Sequence, residues 1–159
     1  MRIAVVMDPI ETVSIEKDTS FALMLSAQAR GHEVLTFGPR EVFARDGDVF
    51  AALHATRVRR AERPDHAVVG PAVVTNLRDV DAVFIRTDPP FDAHYLYVTL
   101  LLEKLRGDVL VVNDPRGLRD ANEKLYAMHF PAVTPRTLVA CHEEEIRAWL
   151  VGVRRSRLL

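Results

Sequence analysis

Three segments of the chain place charged or amide side chains directly after an apolar run, where a strand end would deliver them to a ligand. They are Asp8-Pro9-Ile10, Arg86-Thr87-Asp88-Pro89-Pro90-Phe91-Asp92 and Asn113-Asp114-Pro115. Asp-Pro and Asn-x-Pro are also ordinary turn starters, so each segment carries a structural reading beside the functional one. Arg86 is the hardest to read as turn chemistry alone. A guanidinium at the end of an apolar strand points into the crevice that α/β folds use for ligands, where it can clamp a carboxylate with two parallel hydrogen bonds. A fourth segment, Leu118-Arg119-Asp120-Ala121-Asn122-Glu123-Lys124-Leu125, has two readings. Arg119, Asn122 and Glu123 fall at helical spacing and make neighbours on a solvated face, whereas Lys124 offers a charge to a phosphate.

The rest of the composition narrows the chemistry. The basic residues number 21, and only Lys17, Lys104 and Lys124 are lysines. An arginine-rich coding bias accounts for the imbalance, and each lysine that persists against it is a compact point charge that arginine does not copy. Seven glycines supply neither a GxGxxG nor a GxxxxGK[ST] loop, so nucleotide chemistry would need another phosphate cradle. The six histidines are scattered without HExxH or paired spacing, and no metal site is expected. Cys141 is the single cysteine; it has no CxxC partner and fits a reducing, cytoplasmic setting. No Ser-His-Asp arrangement is legible from spacing, and Asp8-Pro9 lacks the paired acids of a phosphoreceiver. No catalytic residue is assigned. A net charge of −1 gives no reason to expect nucleic acid, and no run of about 18 apolar residues suggests a membrane span.

These groups need elements to position them. Ile3–Met7 reads as a buried parallel strand rather than a signal peptide. Asp18-Thr19-Ser20 supplies N-cap candidates for a helix that Gly31 closes, and Glu33–Phe37 is the next strand. Val42–Arg45, Asp46-Gly47 and a run from Asp48 to about Arg60 read as a hairpin with an Asp-Gly turn. Residues 61–79 read as a surface excursion. Ala82–Ile85 is a strand, Asp92 to Arg106 a helix ended by Gly107, and Val109–Val112 another buried strand. Asn113–Gly117 is a turn and a helix runs from Leu118 or Arg119 to His129, stopped by Pro131. Arg136–Ala140 follows as a strand and Glu143–Leu150 as a helix. The fold class expected is α/β with a mainly parallel sheet.

The blocks Val6–Ile10, Lys17–Ala22, Arg86–Asp92 and Leu118–Leu125, in this order and spacing, resemble the bacterial glutathione synthetases, which are ATP-grasp ligases. The resemblance covers about residues 1–150. It implies a Rossmann-like pre-ATP-grasp domain over 1–120, a linker helix with the first strand and helix of an ATP-grasp subdomain over 121–150, and an unmatched basic tail over 151–159. It also implies a reaction in which ATP phosphorylates the cysteinyl carboxylate of γ-glutamylcysteine and the amine of glycine attacks the acyl phosphate. Under this resemblance Lys124 contacts ATP, and Lys17, Ser20, Arg86, Asp88 and Asn113 line the peptide-substrate side. The sequence departs from the family at Thr87 and Asp114, where the family often or usually has lysine.

The family is roughly twice as long, and its second half carries a Lys-Pro strand, a glycine-rich loop and the Mg²⁺ ligands. ATP and Mg²⁺ therefore belong to the full-length family, with tight binding to these 159 residues not expected. The partners expected are small-molecule substrates and further copies of the chain. Two readings stay open: the N-terminal part of a glutathione synthetase that is inactive alone, or a non-catalytic γ-glutamyl-peptide-binding or oligomerisation module.

Overall fold

The computed structural model describes residues 1–121 and 125–156, and it divides into two compact units, Met1–Arg119 and Asp120–Leu159. The first unit is a mixed α/β layer structure. Its seven-stranded sheet comprises β1 (Arg2–Met7), β2 (Glu33–Phe37), β3 (Val42–Arg45), β4 (Asp48–Val58), β5 (Ala67–Asn76), β6 (Ala82–Arg86) and β7 (Leu110–Val112). β1 is central, parallel to β2 on one side and to β6 on the other, and β7 adds in parallel beyond β6. β4 is antiparallel to β2, β3 and β5. Six strands therefore share one direction and β4 alone opposes them.

β1 is apolar at consecutive positions because helices cover both of its faces. Ile3, Val5 and Met7 pack with Phe21 and Met24 of α1 (Thr19–Ala29). Ala4 and Val6 face the other way, into a cluster with Val98 and Leu102 of α2 (Ala93–Glu103). Each large side chain buried here contributes roughly 1.5–3 kcal/mol. Both helices begin on aspartate caps, with Asp18 accepting from the Phe21 amide and Asp92 from the Tyr95 amide, each at 2.9 Å. The Asp46-Gly47 turn has φ of 53° and 92°, the left-handed pair that a two-residue hairpin turn requires.

Several expectations are corrected. Residues 61–79 are not a surface excursion: β5 pairs with β4 over almost its whole length, and Leu77 in the following turn is fully buried. The Gly70-Pro71 break hides the strand periodicity, and the structure tolerates Pro71 because β5 lies at an edge. β7 is not buried either. Among the described residues it pairs only with β6, and Leu110 is 59% exposed. Within the turn and long helix expected over residues 113–129, the described residues form a short α3 (Pro115–Asp120) and a 3-10 turn at Tyr126–His129, while 122–124 lie outside the described residues. Asp114 accepts from the Arg116 and Gly117 amides, so Asp-Pro here caps a helix with proline at its first position.

In the second unit, Arg136–Ala140 forms no strand, because no neighbour pairs with it among the described residues. α4 (Glu143–Ser156) continues past Leu150 into the basic tail. Its stripe of Ile146, Trp149, Leu150 and Val153 keeps helical spacing beyond the expected end. Three acids stand in its first turn, where the helix dipole favours them. No described residue of this unit is buried.

Candidate functional site

The strand order puts β1 at a topological switch. The connection through α1 leads from β1 to β2 on one side, and the connection through α2 leads from β6 to β7 on the other. A crevice opens beyond the carboxyl ends of β1 and β6, the place where such sheets hold ligands. The segments at these two ends touch: the Asp88 amide donates to Asp8 Oδ2 at 3.1 Å. Asp8 and Asp88 stand between two cavities and line both.

The first cavity, about 380 Å³, is lined by Thr12, Ser14, Lys17, Asp18, Ser20 and Arg86 as well as the two shared aspartates. Four of the expected substrate-side residues, Lys17, Ser20, Arg86 and Asp88, come together here from a loop, a helix start and a strand end. Arg86 Nε donates to the buried Ser20 Oγ at 3.0 Å, and its Nη2 donates to Thr19 Oγ1. Two of the five guanidinium donors thus aim the group. Lys17 is exposed on the loop. Asn113 is exposed at the end of β7 and lines neither cavity. Lys124, with Asn122 and Glu123, lies outside the described residues.

The second cavity, about 440 Å³, is more apolar, with Pro9, Pro39, Ile85, Pro89, Pro90 and Val98 among its walls. Arg40, His94, Tyr95 and Thr87 add polar groups. The Thr87 hydroxyl is buried with no hydrogen-bond partner. Burial raises the Tyr95 phenol above its usual range, opposed by the positive charge of Arg86.

Residues that sequence reasoning missed hold these walls in place. Glu41 accepts from the Gly38 amide at 2.6 Å with one oxygen and meets His54 Nε2 at 3.1 Å with the other. His54 Nδ1 lies 2.9 Å from the Gly70 carbonyl. Both ring nitrogens face acceptors, so the imidazolium is favoured. The His54 pKa is raised, first by the Gly70 carbonyl and then by Glu41, with burial opposing. The loop carrying Thr12 and Lys17 is braced from the β4–β5 connection. Buried His66 donates from Nε2 to the Ile10 carbonyl at 3.1 Å, and Arg63 donates to the Val13 carbonyl. No spacing in the sequence joins residue 66 to residue 10; only the β4–β5 pairing brings them together.

Asp114, one of the two family departures, and Arg119 have structural roles. Asp114 caps α3 and takes Arg106 Nη2 at 2.7 Å, and the Gly117 amide, Arg106 and the Arg116 amide hold its carboxyl below the usual range. Arg119 is no solvated face residue: together with Arg116 it binds Glu103 of α2, and those hydrogen bonds lower the Glu103 carboxyl.

A mixed α/β domain with a charged crevice at its switch point is the class these features define. The sequence profile of the family described as the prokaryotic glutathione synthetase N-terminal domain matches residues 1–119, and the chain belongs to that family. It is 42% identical over 149 residues to a glutathione synthetase of Rhodopseudomonas palustris, covering 94% of this chain and 47% of that protein. Similar matches are the glutathione synthetases of Mesorhizobium japonicum, 43% identical over 149 residues with 94% and 47% covered, and Brucella melitensis, 41% over 146 residues with 92% and 46% covered. The chain spans about half the length of the curated relatives it matches.

Proposed function

We propose that this chain is the substrate-side part of a glutathione synthetase, with a Rossmann-like pre-ATP-grasp domain over about 1–120 and the beginning of an ATP-grasp subdomain after it. The observation that carries the reading is the gathering of Lys17, Ser20, Arg86 and Asp88 around one cavity of about 380 Å³. Its charges are mixed: Lys17 and Arg86 suit carboxylates, while Asp8, Asp18 and Asp88 suit an ammonium group. γ-Glutamylcysteine carries both kinds of charge. Arg86, aimed by two hydroxyls, grips a carboxylate of the peptide, and Lys17 adds a mobile second cation from the loop. Holding a reactant this way lowers the barrier by orientation rather than by a protein nucleophile.

ATP and Mg²⁺ belong to the complete reaction, where they supply the acyl phosphate. Among the described residues no group of three or more His, Cys, Asp or Glu gathers as a metal site. The absence of any buried residue in the described part of the second unit supports reading it as one piece of a larger fold. Its exposed, unpaired Cys141 suits a reducing cytoplasm, and no described helix is long and apolar enough to cross a membrane.

Titration calorimetry with γ-glutamylcysteine tests the assignment. Saturable binding is expected, and Arg86→Ala weakens it about 10- to 100-fold, the range for losing a charge-assisted pair. Equal affinity of the two proteins would refute the placement of the peptide at Arg86. The chain alone forms no glutathione from ATP, γ-glutamylcysteine and glycine; measurable turnover would overturn the division of labour proposed for it.

A further inference from the structure

The charged cavity alone holds both kinds of charge that γ-glutamylcysteine carries, which leaves the second cavity, about 440 Å³, without an occupant. Its size is that of a complete small-molecule site. Pro9, Pro39, Pro89 and Pro90 wall it together with Ile85 and Val98. Each proline ring fixes its own backbone angle, so these walls stand in place before a ligand arrives and little ordering is left to oppose binding. Three polar groups at this cavity have nothing to bind within the protein. Arg40 is exposed, and its guanidinium makes no hydrogen bond or ion pair among the described residues. Asp88 donates its amide to Asp8, but its own carboxylate accepts from no described group. The Thr87 hydroxyl is buried without a partner. The two remaining acids are already engaged: Asp8 accepts from the Asp88 amide and Asp92 from the Tyr95 amide.

We propose that the second cavity binds a free α-amino acid with an apolar side chain, its carboxylate at Arg40, its ammonium at Asp88 and its side chain against the proline walls. The charges select this class. An apolar anion would satisfy Arg40 and be repelled by Asp88, and an apolar cation would meet the reverse. A zwitterion satisfies both, through charge-assisted hydrogen bonds on either side. Arg40 and Asp88 form no ion pair with each other, so neither charge has to be released before the ligand enters. The Thr87 hydroxyl donates or accepts one further bond, and the walls take a side chain that water solvates poorly. Asp8 and Asp88 line both cavities. On the reading of the first cavity given above, an ammonium held at Asp88 therefore competes with the one that γ-glutamylcysteine brings, and each ligand weakens the other by the same factor.

Titration calorimetry of the 159-residue chain with L-leucine, up to about 10 mM, tests this. Saturable binding is the expected result. Glycine keeps both charges without the side chain and binds at least about tenfold more weakly. Leucine amide and N-acetylleucine each lack one charge and lose at least about tenfold as well. Arg40→Ala weakens leucine by a similar factor, with unchanged circular dichroism because the side chain is exposed. No saturable leucine binding, equal affinity for glycine or for either blocked leucine, or undiminished binding to Arg40→Ala would each overturn the proposal. Saturating γ-glutamylcysteine weakens leucine by about fivefold or more; an unchanged leucine affinity would overturn the shared use of Asp88. If γ-glutamylcysteine itself does not bind, the reading of the first cavity falls, and the leucine titrations still decide the second.

Discussion

Replacing His54 with glutamine should remove a pH-dependent part of the stability of the first unit. His54 lies between the Gly70 carbonyl and Glu41, at 2.9 and 3.1 Å, and the same carboxylate holds the Gly38 amide at 2.6 Å. Its pKa in the folded chain is raised above 6.5. A raised folded pKa means that the folded state binds the proton more tightly than the unfolded state. The stabilisation is therefore complete below about pH 6.5 and is lost as pH rises through the folded value. Hydrogen bonds to charged groups are worth about 1.5–3 kcal/mol at best. The side chains of His54 and Glu41 are 23% and 37% exposed, so solvent screening brings the pair to about 1 kcal/mol.

In a unit of 119 residues that energy corresponds to about 4 °C in Tm. Thermal melts of the wild type and His54→Gln at pH 5.5 and pH 8.5 give the comparison. The wild type should exceed the variant by about 4 °C at the lower pH, and the gap should close at the higher one. Titrations common to both proteins cancel in the difference. A gap independent of pH, or one widening towards alkaline pH, would refute the protonated bridge. The consequence for function follows from position: Gly38, Pro39 and Arg40 line the apolar cavity, so the bridge that weakens with rising pH is one that fixes its wall.

Leu77→Ala should lower stability by about 3 kcal/mol, read as a shift in the urea midpoint, because Leu77 is fully buried in the larger core cluster; a loss below about 0.5 kcal/mol would return it to a surface role. Hydrogen exchange should be fast throughout residues 125–156, where no described residue is buried, and slow in β1 and β6. Protection of α4 comparable to β1 would contradict the reading of the second unit as a piece without its own core.

The layered part of the first unit was legible because its signals are local. The apolar run Ile3–Met7 announces a strand covered on both faces, Asp18 and Gly31 bracket α1, and Asp46-Gly47 fixes a hairpin. β5 was not legible, since an edge strand exposes both faces and carries no alternating pattern; Gly70-Pro71 then resembles a loop. β7 misled in the opposite sense, because three consecutive apolar residues look the same at an edge as in a sheet centre. For the site, the motif blocks carried Lys17, Ser20, Arg86 and Asp88. Asn113, placed on the substrate side by the resemblance, stands at the end of β7, which lies beyond β6 and one strand further from the crevice. The bracing residues could not be found the same way: His66 reaches Ile10 across 56 positions, a distance set by β4–β5 pairing and not by any motif.

The two positions where this chain departs from the family bear on how the crevice works. Asp114 is engaged by α3 and Arg106, so replacing it with lysine would remove a helix cap before it added a cation. Thr87 stands differently. Its hydroxyl is buried beside the Asp8–Asp88 contact and has no partner, and a buried hydroxyl without a partner costs about 1–3 kcal/mol relative to a satisfied one. A ligand that reaches Thr87 from the apolar cavity recovers that energy on binding, whereas one confined to the Lys17–Arg86 cavity does not. Thr87→Val keeps the shape and removes the unsatisfied group. It should raise the stability of the free chain slightly, seen as a higher Tm, while weakening any ligand that hydrogen-bonds to the hydroxyl. If Thr87→Val leaves γ-glutamylcysteine affinity unchanged while Arg86→Ala abolishes it, the peptide occupies only the charged cavity. Equal losses from both substitutions would show that it spans the aspartate divide into the second.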